Sequence, residues 1–219
     1  MRIAVIGTGK IGGTIGRAWS RSGHVVRFGS RHPASDDASG DTEAAVAGIP
    51  DALAGADVVL LAVPARSIGE LLAGNAAAID GKLVIDATNQ IGGAEANAAR
   101  QVAAAAPAAR YARAFNTLGW ENFADPLFDG VPADLFYSAP AADEATVAQL
   151  ISDVGLRPSY LGEGKQDVVD GVLPLWIALV QAHGGNRPPS LPGAHRLTAP
   201  PGTYGERRTL MEHQSLDCG

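Results

Sequence analysis

Positive charge and cysteine are both scarce in this chain of 219 residues. Lysine and arginine total 17 against 23 acidic residues, which gives a formal net charge of −6. Without a basic surface to attract phosphate backbones, nucleic-acid binding is not expected. The single cysteine, Cys218, excludes an internal disulfide and a cysteine-rich metal site, and it favours a reducing compartment.

Long apolar runs are also missing. No stretch reaches about 18 uninterrupted apolar residues, so we expect no membrane span. The N-terminal apolar run, residues 3–6, is too short for the core of a signal peptide and continues directly into glycines. The five histidines are scattered without the spacing of metal ligands, so no metal site is expected. These features predict a cytoplasmic protein.

Short strands alternate with helices along most of the chain. Apolar runs with β-branched residues are typical of parallel strands buried on both faces, and Ile15, Ala18 and Trp19 have the spacing of a helix that faces a sheet. The alternation predicts an α/β fold, a Rossmann-type doubly wound parallel sheet with right-handed crossovers. Strands are predicted at 3–6, 25–28, 57–64, 82–88, 133–139 and 157–161 and within 110–117, and helices around 15–19 and at 42–47, 51–56, 67–78, 94–106, 144–154 and 166–183.

The C-terminal part of the chain changes character. We expect residues 1–185 to form one nucleotide-binding domain that ends with the helix at 166–183. That helix has large apolar residues on more than one face, which predicts a homodimer. Residues 186–219 are rich in glycine, proline and arginine and lack periodicity, so we expect an irregular tail that is dispensable for folding.

A glycine cluster follows the first predicted strand. Residues 7–12 read G-x-G-x-x-G between a strand and a helix, which is the dinucleotide-binding fingerprint. Gly7 permits the tight turn, Gly9 lets backbone amides approach a pyrophosphate, and Gly12 lets helix and strand pack closely. The start of the helix adds free amides and a partial positive charge. The cluster therefore predicts a dinucleotide at this end of the sheet.

The end of the second strand discriminates between NAD and NADP. An NAD site places Asp or Glu about 20 residues after the glycines. Here Ser30 and Arg31 occupy that region, and Asp36 and Asp37 follow only in the next loop. A hydroxyl and a forked, permanently charged guanidinium suit a 2′-phosphate, so we predict NADP.

Four stretches resemble the F420-dependent NADP oxidoreductase family: "IAVIGTGKIGGTIGRAWSRSGHVVRFGSR", "VVLLAVP", "VIDATNQIGG" and "ARAFNTLGWENFADP". The likeness covers roughly residues 2–183. It implies hydride transfer between NADP(H) and a deazaflavin coenzyme, F420. It also implies that Thr8, Gly9, Lys10 and Ile11 line the pyrophosphate, that Ser30 and Arg31 bind the 2′-phosphate, that Val63 and Pro64 flank the adenosine or the nicotinamide ribose, and that Asn89, Phe115, Asn116 and Thr117 lie near the nicotinamide.

No acid–base constellation stands out in the sequence. Hydride exchange between two stacked rings needs alignment rather than a side-chain base. Asn116 and Thr117 are therefore predicted to position the nicotinamide and not to exchange a proton. The amide of Asn116 matches the nicotinamide carboxamide in donors and acceptors. Asp86 is predicted to cap the next helix or to bind a loop amide. Whether Phe115, Trp120 and Phe123 pack in the core or form a platform for a planar ligand stays open.

The predicted function is therefore that of an enzyme, an NADP-dependent oxidoreductase with a small-molecule redox partner. Two alternatives stay open: a non-catalytic NADP(H)-binding sensor, and an NADPH-dependent flavin, quinone or ferric reductase. Hydroxyacid dehydrogenases of the β type and pyrroline carboxylate reductases share the N-terminal pattern. They need a large helical domain after the sheet, whereas one long helix is predicted here.

Overall fold

The computed structural model describes residues 1–33, 45–90, 93 and 95–182. The strands are β1 (Arg2–Ile6), β2 (Val25–Ser30), β3 (Val46–Gly48), β4 (Val58–Leu61), β5 (Leu83–Asp86), β6 (Arg110–Arg113), β7 (Leu127–Phe128), β8 (Val131–Pro132), β9 (Asp134–Tyr137) and β10 (Arg157–Tyr160). The helices are α1 (Lys10–Arg21), α2 (Ile49–Leu53), α3 (Ile68–Ile79), α4 (Ala99–Ala105), α5 (Trp120–Ala124), α6 (Glu144–Asp153), α7 (Gln166–Asp170) and α8 (Val172–Ala182). Short 3-10 turns lie at Ala65–Ser67 and Ala141–Asp143.

Six parallel strands form the central sheet in the order β3-β2-β1-β4-β5-β6. This is the order of a doubly wound dinucleotide-binding sheet, so the predicted fold class is confirmed. The chain runs outward from β1 in one direction to β3 and then returns to β4 beside β1. The crevice where that reversal occurs, at the carboxyl ends of β1 and β4, is where such sheets bind ligands.

Apolar cores cover both faces of the sheet. Ile3 and Val5 of β1 belong to the core that also holds Trp19 of α1. Ala4 and Ile6 belong to the opposite core, which α2, α3 and α4 cover. Successive side chains of a strand point to opposite faces, and β1 has apolar residues in both directions because both faces are covered.

The last two strands do not join the parallel sheet. β9 and β10 pair parallel with each other and meet β6 through an antiparallel bridge between Arg113 and Ser138. Arg113 N donates to Ser138 O over 2.8 Å, and Ser138 N donates to Arg113 O over 3.0 Å. The prediction of one parallel sheet was therefore wrong for these two strands.

Several predicted elements also differ in extent. Within the predicted helix 42–47, Val46 lies in strand β3, which pairs with β2 at Phe28, and residues 42–44 lie outside the described residues. The predicted helix 166–183 is interrupted at Gly171, between α7 and α8, because glycine has low helix propensity and suits a helix end. The predicted tail, 186–219, also lies outside the described residues.

Helix α1 is tied to helix α6, which follows it by more than a hundred residues. The Trp19 indole is fully buried and donates from Nε1 to the carbonyl of Leu150 over 2.8 Å. Ser22 Oγ donates to the carbonyl of Asp153 over 3.1 Å, and His24 Nε2 lies 2.7 Å from Asp153 Oδ2. These contacts fix the helix that carries the glycine loop. Among the described residues, no helix has both the length and the apolar character to cross a membrane.

Candidate functional site

A cleft of about 670 Å³ opens at the carboxyl ends of β1, β2 and β4. Seven of the predicted ligand residues line it: Gly7, Thr8, Gly9, Ser30, Arg31, Val63 and Pro64. The other predicted residues do not line it, namely Lys10, Ile11, Gly12, Asn89, Phe115, Asn116 and Thr117. The predicted residues therefore divide among this cleft, the first turn of α1 and the region that follows β5 and β6.

The glycine loop has geometry that only glycine satisfies at two positions. Gly7 has a φ of +115°, and a Cβ there would lie 2.4 Å from the carbonyl oxygen of Ala62. A Cβ on Gly12 would lie 2.2 Å from the carbonyl oxygen of Gly7. Real Cβ atoms do not approach oxygen so closely, so the turn and the helix–strand packing both require the missing side chain.

Gly9 differs, because a Cβ there would meet no atom of the described residues within 4 Å. It precedes α1, and no side chain caps this helix start. The first hydrogen bond of this turn is donated by Gly13 N to Gly9 O over 2.7 Å. The amides of residues 10–12 come before that hydrogen bond, so they have no carbonyl partner within the helix. The helix dipole also places partial positive charge at this end of α1. Open space beside uncapped amides is the arrangement that a pyrophosphate fits.

The end of β2 presents Ser30 and the exposed Arg31 to the same cleft. The Ser30 hydroxyl accepts a hydrogen bond from the His32 amide over 2.9 Å, which orders the turn. Among the described residues that line the cleft, the acidic one is Glu70, on α3 and not on β2. Asp36 and Asp37 lie outside the described residues. The described surroundings of Arg31 thus suit a phosphate better than a ribose hydroxyl.

Sequence reasoning missed part of the cleft wall. His32 and Pro33 continue from β2, Gly48 ends β3, Pro50 lies in the first turn of α2, and Asn75 comes from α3. His32 and Pro33 directly follow Ser30-Arg31, so their place in the cleft wall could have been inferred from the sequence. The others were not identifiable from the sequence, because only pairing of β3 with β2 brings the start of α2 to the cleft.

The region after β5 and β6 holds a buried polar network centred on Arg113. This side chain has no solvent exposure. Its guanidinium lies 2.6 Å from Asp170 Oδ1 and 3.3 Å from Asp86 Oδ2, and it donates to Asn89 Oδ1 over 3.0 Å. A buried cation needs such partners, because an unpaired charge in the interior is very costly.

Asp86 has the structural role predicted for it. Its Oδ2 accepts from the amide of Ala98, at the start of α4, over 2.8 Å. Its Oδ1 accepts from the amide of Thr88 over 2.8 Å. The Tyr111 hydroxyl donates to Asp86 Oδ2 over 2.7 Å, and burial beside this carboxylate raises the pKa of Tyr111. The tyrosine therefore stays protonated.

Two of the three aromatic residues pack in the core. The ring of Phe115 makes edge-to-face contacts, at 5.8 Å between centroids, with Trp19 and Phe123. Trp120 is half-buried, and the Lys10 ammonium lies 4.8 Å from the centre of its ring. The Phe115 ring is thus enclosed by other aromatic rings and is not available as a platform for a planar ligand, whereas Trp120 stands beside the start of α1.

Asn116 and Thr117 are buried, with 3% and 4% of their surfaces exposed. Asn116 Nδ2 donates to Asp170 Oδ1 over 3.0 Å, and the main-chain oxygen of Asn116 accepts from Asn89 Nδ2 over 2.7 Å. Within the part of the chain that the structure describes, Asn116 Oδ1 and Thr117 Oγ1 have no hydrogen-bond partner. Arg113 and Asp170, which organise this region, were not singled out in the sequence.

Comparison with a family model matches the part of the chain that contains β1 to β5. Residues 2–90 match the family described as NADP oxidoreductase coenzyme F420-dependent. The resemblance seen in the sequence is confirmed, and the chain is an NADP-dependent oxidoreductase with NADP as its nucleotide. The match leaves the hydride acceptor unspecified. Comparison with curated proteins yields no match.

Solved structures agree with this assignment. A protein from Arthrobacter sp. FB24, whose proposed identity is an F420-dependent NADP reductase, is 28% identical with a TM-score of 0.71, over 84% of this chain and 95% of that one. A hypothetical protein from Sinorhizobium meliloti is 29% identical with a TM-score of 0.62, over 74% and 85% of the two chains. A reductive aminase from Aspergillus terreus in complex with NADPH shares the fold at 21% identity and a TM-score of 0.67, and the match covers 84% of this chain and 62% of that one. Within the described residues, no cluster of side chains suits a metal ion.

Proposed function

We propose that this oxidoreductase transfers a hydride between NADP(H) and a planar redox partner, and that the partner is the deazaflavin coenzyme F420. The observation that carries the proposal is the cleft with uncapped amides at one end and Arg31 at the other. The family match over residues 2–90 supports F420 as the partner. The similar Arthrobacter protein carries the same proposed identity.

The nucleotide would be held mainly by backbone and by one cation. The amides at the start of α1 would bind the pyrophosphate, and Ser30 and Arg31 would bind the 2′-phosphate. Val63 and Pro64, which line the cleft after β4, would contact the sugar or the base. When bound, NADPH supplies the hydride, and the residues after β6 would align its ring.

Alignment is what the reaction requires from this protein. Hydride transfer between two rings depends on holding them about 3–3.5 Å apart with the correct faces opposed. No proton has to be exchanged with a side chain in that step. Asn116 and Thr117 are proposed as positioning residues, which agrees with their burial and with the polar network around them.

A panel of acceptors tests the proposal. Purified protein is mixed with NADPH and either F420, FMN, a quinone or a ferric chelate, and NADPH oxidation is followed by absorbance at saturating acceptor. We expect fast reduction of F420 and slow or no reduction of the others. The Arg31→Ala variant is the control, since the same reaction at low NADPH must slow if it uses this cleft.

The panel also separates the alternatives. If FMN, the quinone or the ferric chelate is reduced faster than F420, that acceptor replaces F420 as the proposed partner. Tight NADPH binding with no reduction of any acceptor would favour a non-catalytic sensor. Absence of NADPH binding would overturn the proposal as a whole.

We also infer that the protein acts as a cytoplasmic homodimer. Val168 of α7 and Leu175 of α8 expose 58% and 54% of their surfaces, and exposed large apolar residues on two consecutive helices suit a protein interface. Leu175→Glu should convert the dimer to monomer in analytical ultracentrifugation. The matched control is Val25→Glu, at a position 61% exposed on β2. A monomeric wild type would refute the dimer.

A further inference from the structure

Of the three aromatic residues that follow β6, Trp120 is the one outside the core. It is the first residue of α5 and is half-buried, whereas Phe123, one turn later on the same helix, is 2% exposed and packs on Phe115. Partly exposed aromatic side chains suit recognition, because they offer a large, rigid apolar face at little cost in conformational entropy. The Trp120 ring is therefore available to a ligand, unlike the other two rings.

Trp120 stands beside the proposed nucleotide site. Helix α5 packs against α1, and the contact between Lys10 and Trp120 joins the first residues of these two helices. Helix α5 also follows β6, which lies on the opposite side of β1 from β2 and Arg31. A nucleotide with its 2′-phosphate at Arg31 and its pyrophosphate at the start of α1 would therefore extend its nicotinamide half toward the side of the sheet where Trp120 lies.

The Lys10 ammonium lies over the Trp120 ring, 4.8 Å from its centre. A cation at this distance is attracted to the face of an aromatic ring. Within the part of the chain that the structure describes, no carboxylate forms an ion pair with Lys10. The lysine is exposed, so the contact with the ring is what holds its ammonium in this position.

A bound nucleotide would offer the same ammonium a stronger partner. Lys10 begins α1, and its own amide is one of the uncapped amides at which the pyrophosphate is proposed to lie. Its long, flexible stem lets the charged group change partners. A hydrogen bond from a cation to a phosphate is worth about three times an exposed cation–π contact. The pyrophosphate would therefore draw the ammonium away from the ring.

We propose that Lys10 is a gate over Trp120: the pyrophosphate of NADP(H) removes the ammonium from the ring, and the uncovered indole then stacks with the planar redox partner. The inference rests on the proposed NADP(H) function. It assigns Trp120 to acceptor binding and predicts that the nucleotide strengthens that binding. Because such coupling is reciprocal, the acceptor strengthens nucleotide binding by the same factor.

Two probes measure this coupling without turnover. The first, 2′-phospho-ADP-ribose, has the pyrophosphate of NADP but no nicotinamide, and the second, 5-deazariboflavin, has the planar ring system but no charge. The dissociation constant of 5-deazariboflavin, followed by its fluorescence, should fall about two- to fivefold when 2′-phospho-ADP-ribose is bound, which corresponds to one exposed cation–π contact. Adenosine 2′-phosphate, which lacks the pyrophosphate, should leave this constant unchanged.

Lys10→Ala is the decisive variant, because it removes the ammonium at an exposed helix position that alanine suits. The ring is then open from the start, so 5-deazariboflavin should bind as it does to the loaded wild type, with no further effect of 2′-phospho-ADP-ribose. The nucleotide probe itself should bind about tenfold more weakly, through loss of a contact with phosphate. Lys165→Ala is the matched control, since Lys165 is also exposed at the start of a helix, α7, and it should keep all wild-type constants.

Trp120→Leu should give a result that a merely structural role would not. Without the ring, Lys10 no longer has to leave a partner, so the affinity for 2′-phospho-ADP-ribose should rise about two- to fivefold. Binding of 5-deazariboflavin should weaken, and Trp120→Phe, which keeps an aromatic face, should restore most of it. A purely structural role for Trp120 would instead weaken the binding of both probes.

The outcomes separate this inference from the proposed function. If the wild type binds NADPH and reduces F420, but 2′-phospho-ADP-ribose fails to strengthen the binding of 5-deazariboflavin, the inference is wrong while the NADP function stands. The same holds if the loaded protein does not bind 5-deazariboflavin, or if Lys10→Ala retains the wild-type coupling. If the wild type binds neither NADPH nor 2′-phospho-ADP-ribose, both are wrong.

Discussion

Gly9→Ala should separate nucleotide binding from folding. The backbone of Gly9, at φ −67° and ψ −175°, is open to alanine, and the new Cβ would meet nothing within 4 Å. Reduced freedom of the unfolded chain stabilises by about 0.4–1 kcal/mol, and the poorer helix cap costs a similar amount. The free energy of unfolding should therefore change by less than about 1 kcal/mol.

Binding should respond quite differently. The methyl group would occupy the space in front of the amides at the start of α1, where the pyrophosphate is proposed to lie. Loss of one hydrogen bond to a charged group costs about 1.5–3 kcal/mol, so the NADPH dissociation constant should rise about ten- to a hundredfold. Fluorescence titration with NADPH and thermal denaturation without nucleotide measure the two effects.

Gly12→Ala is the matched control, because its Cβ would lie 2.2 Å from Gly7 O and 3.1 Å from Val5 Cγ1. Such overpacking costs about 1–3 kcal/mol, so this variant should lose stability in the absence of nucleotide. Wild-type NADPH affinity in Gly9→Ala would refute the location of the pyrophosphate. A stable Gly12→Ala protein would refute the packing argument.

Three further outcomes are expected. Arg31→Ala should raise the NADPH constant by roughly ten- to a hundredfold, through loss of a charge-assisted contact, with little change in the NADH constant or in turnover; equal affinity of the wild type for NAD and NADP would contradict this. Turnover should vary weakly between about pH 6 and 8, apart from titration of the acceptor, because no side chain exchanges a proton, and a bell-shaped profile from the enzyme would show otherwise. The Arg2 guanidinium lowers the pKa of Asp57 to about 2, so the stabilising effect of the ion pair is complete above the usual carboxyl pKa near 4 and disappears as pH falls toward 2. Asp57→Asn should therefore lower the urea midpoint slightly at pH 7 and less at pH 3. An equal or larger loss at pH 3 would contradict this pH dependence.

The parts of the fold that could be predicted are those whose signal is local. β1, β4 and β5 are short apolar runs, and strands buried on both faces leave that pattern in any sequence. β3 was mistaken for helix because its three residues, Val46–Gly48, have no pattern of their own and become a strand only by pairing with β2. The hairpin of β7 and β8 was missed although Asp129-Gly130 signals it, with a positive φ at both residues.

The candidate site divides in the same way. The glycine loop is contiguous and follows a strand, so its place at the sheet edge could be predicted together with Ser30 and Arg31. The pairing of Arg113 with Asp170 could not, because 57 residues separate them in the sequence and Asp170 lies outside the four stretches that carry the resemblance. A buried ion pair is created by the fold, and in the sequence nothing distinguishes Arg113 and Asp170 from the neighbouring charged residues Arg110 and Asp167.

The tie between α1 and α6 has a consequence for how the chain folds. Trp19, Ser22 and His24 find their partners at residues 150 and 153, so the contacts span 129–131 residues. Bringing such distant segments together is entropically expensive and slow. During synthesis, α1 can pack on β1 and β2 early, but it lacks these contacts with α6 until α6 has left the ribosome. A helix that is made early thus acquires its contacts with α6 late.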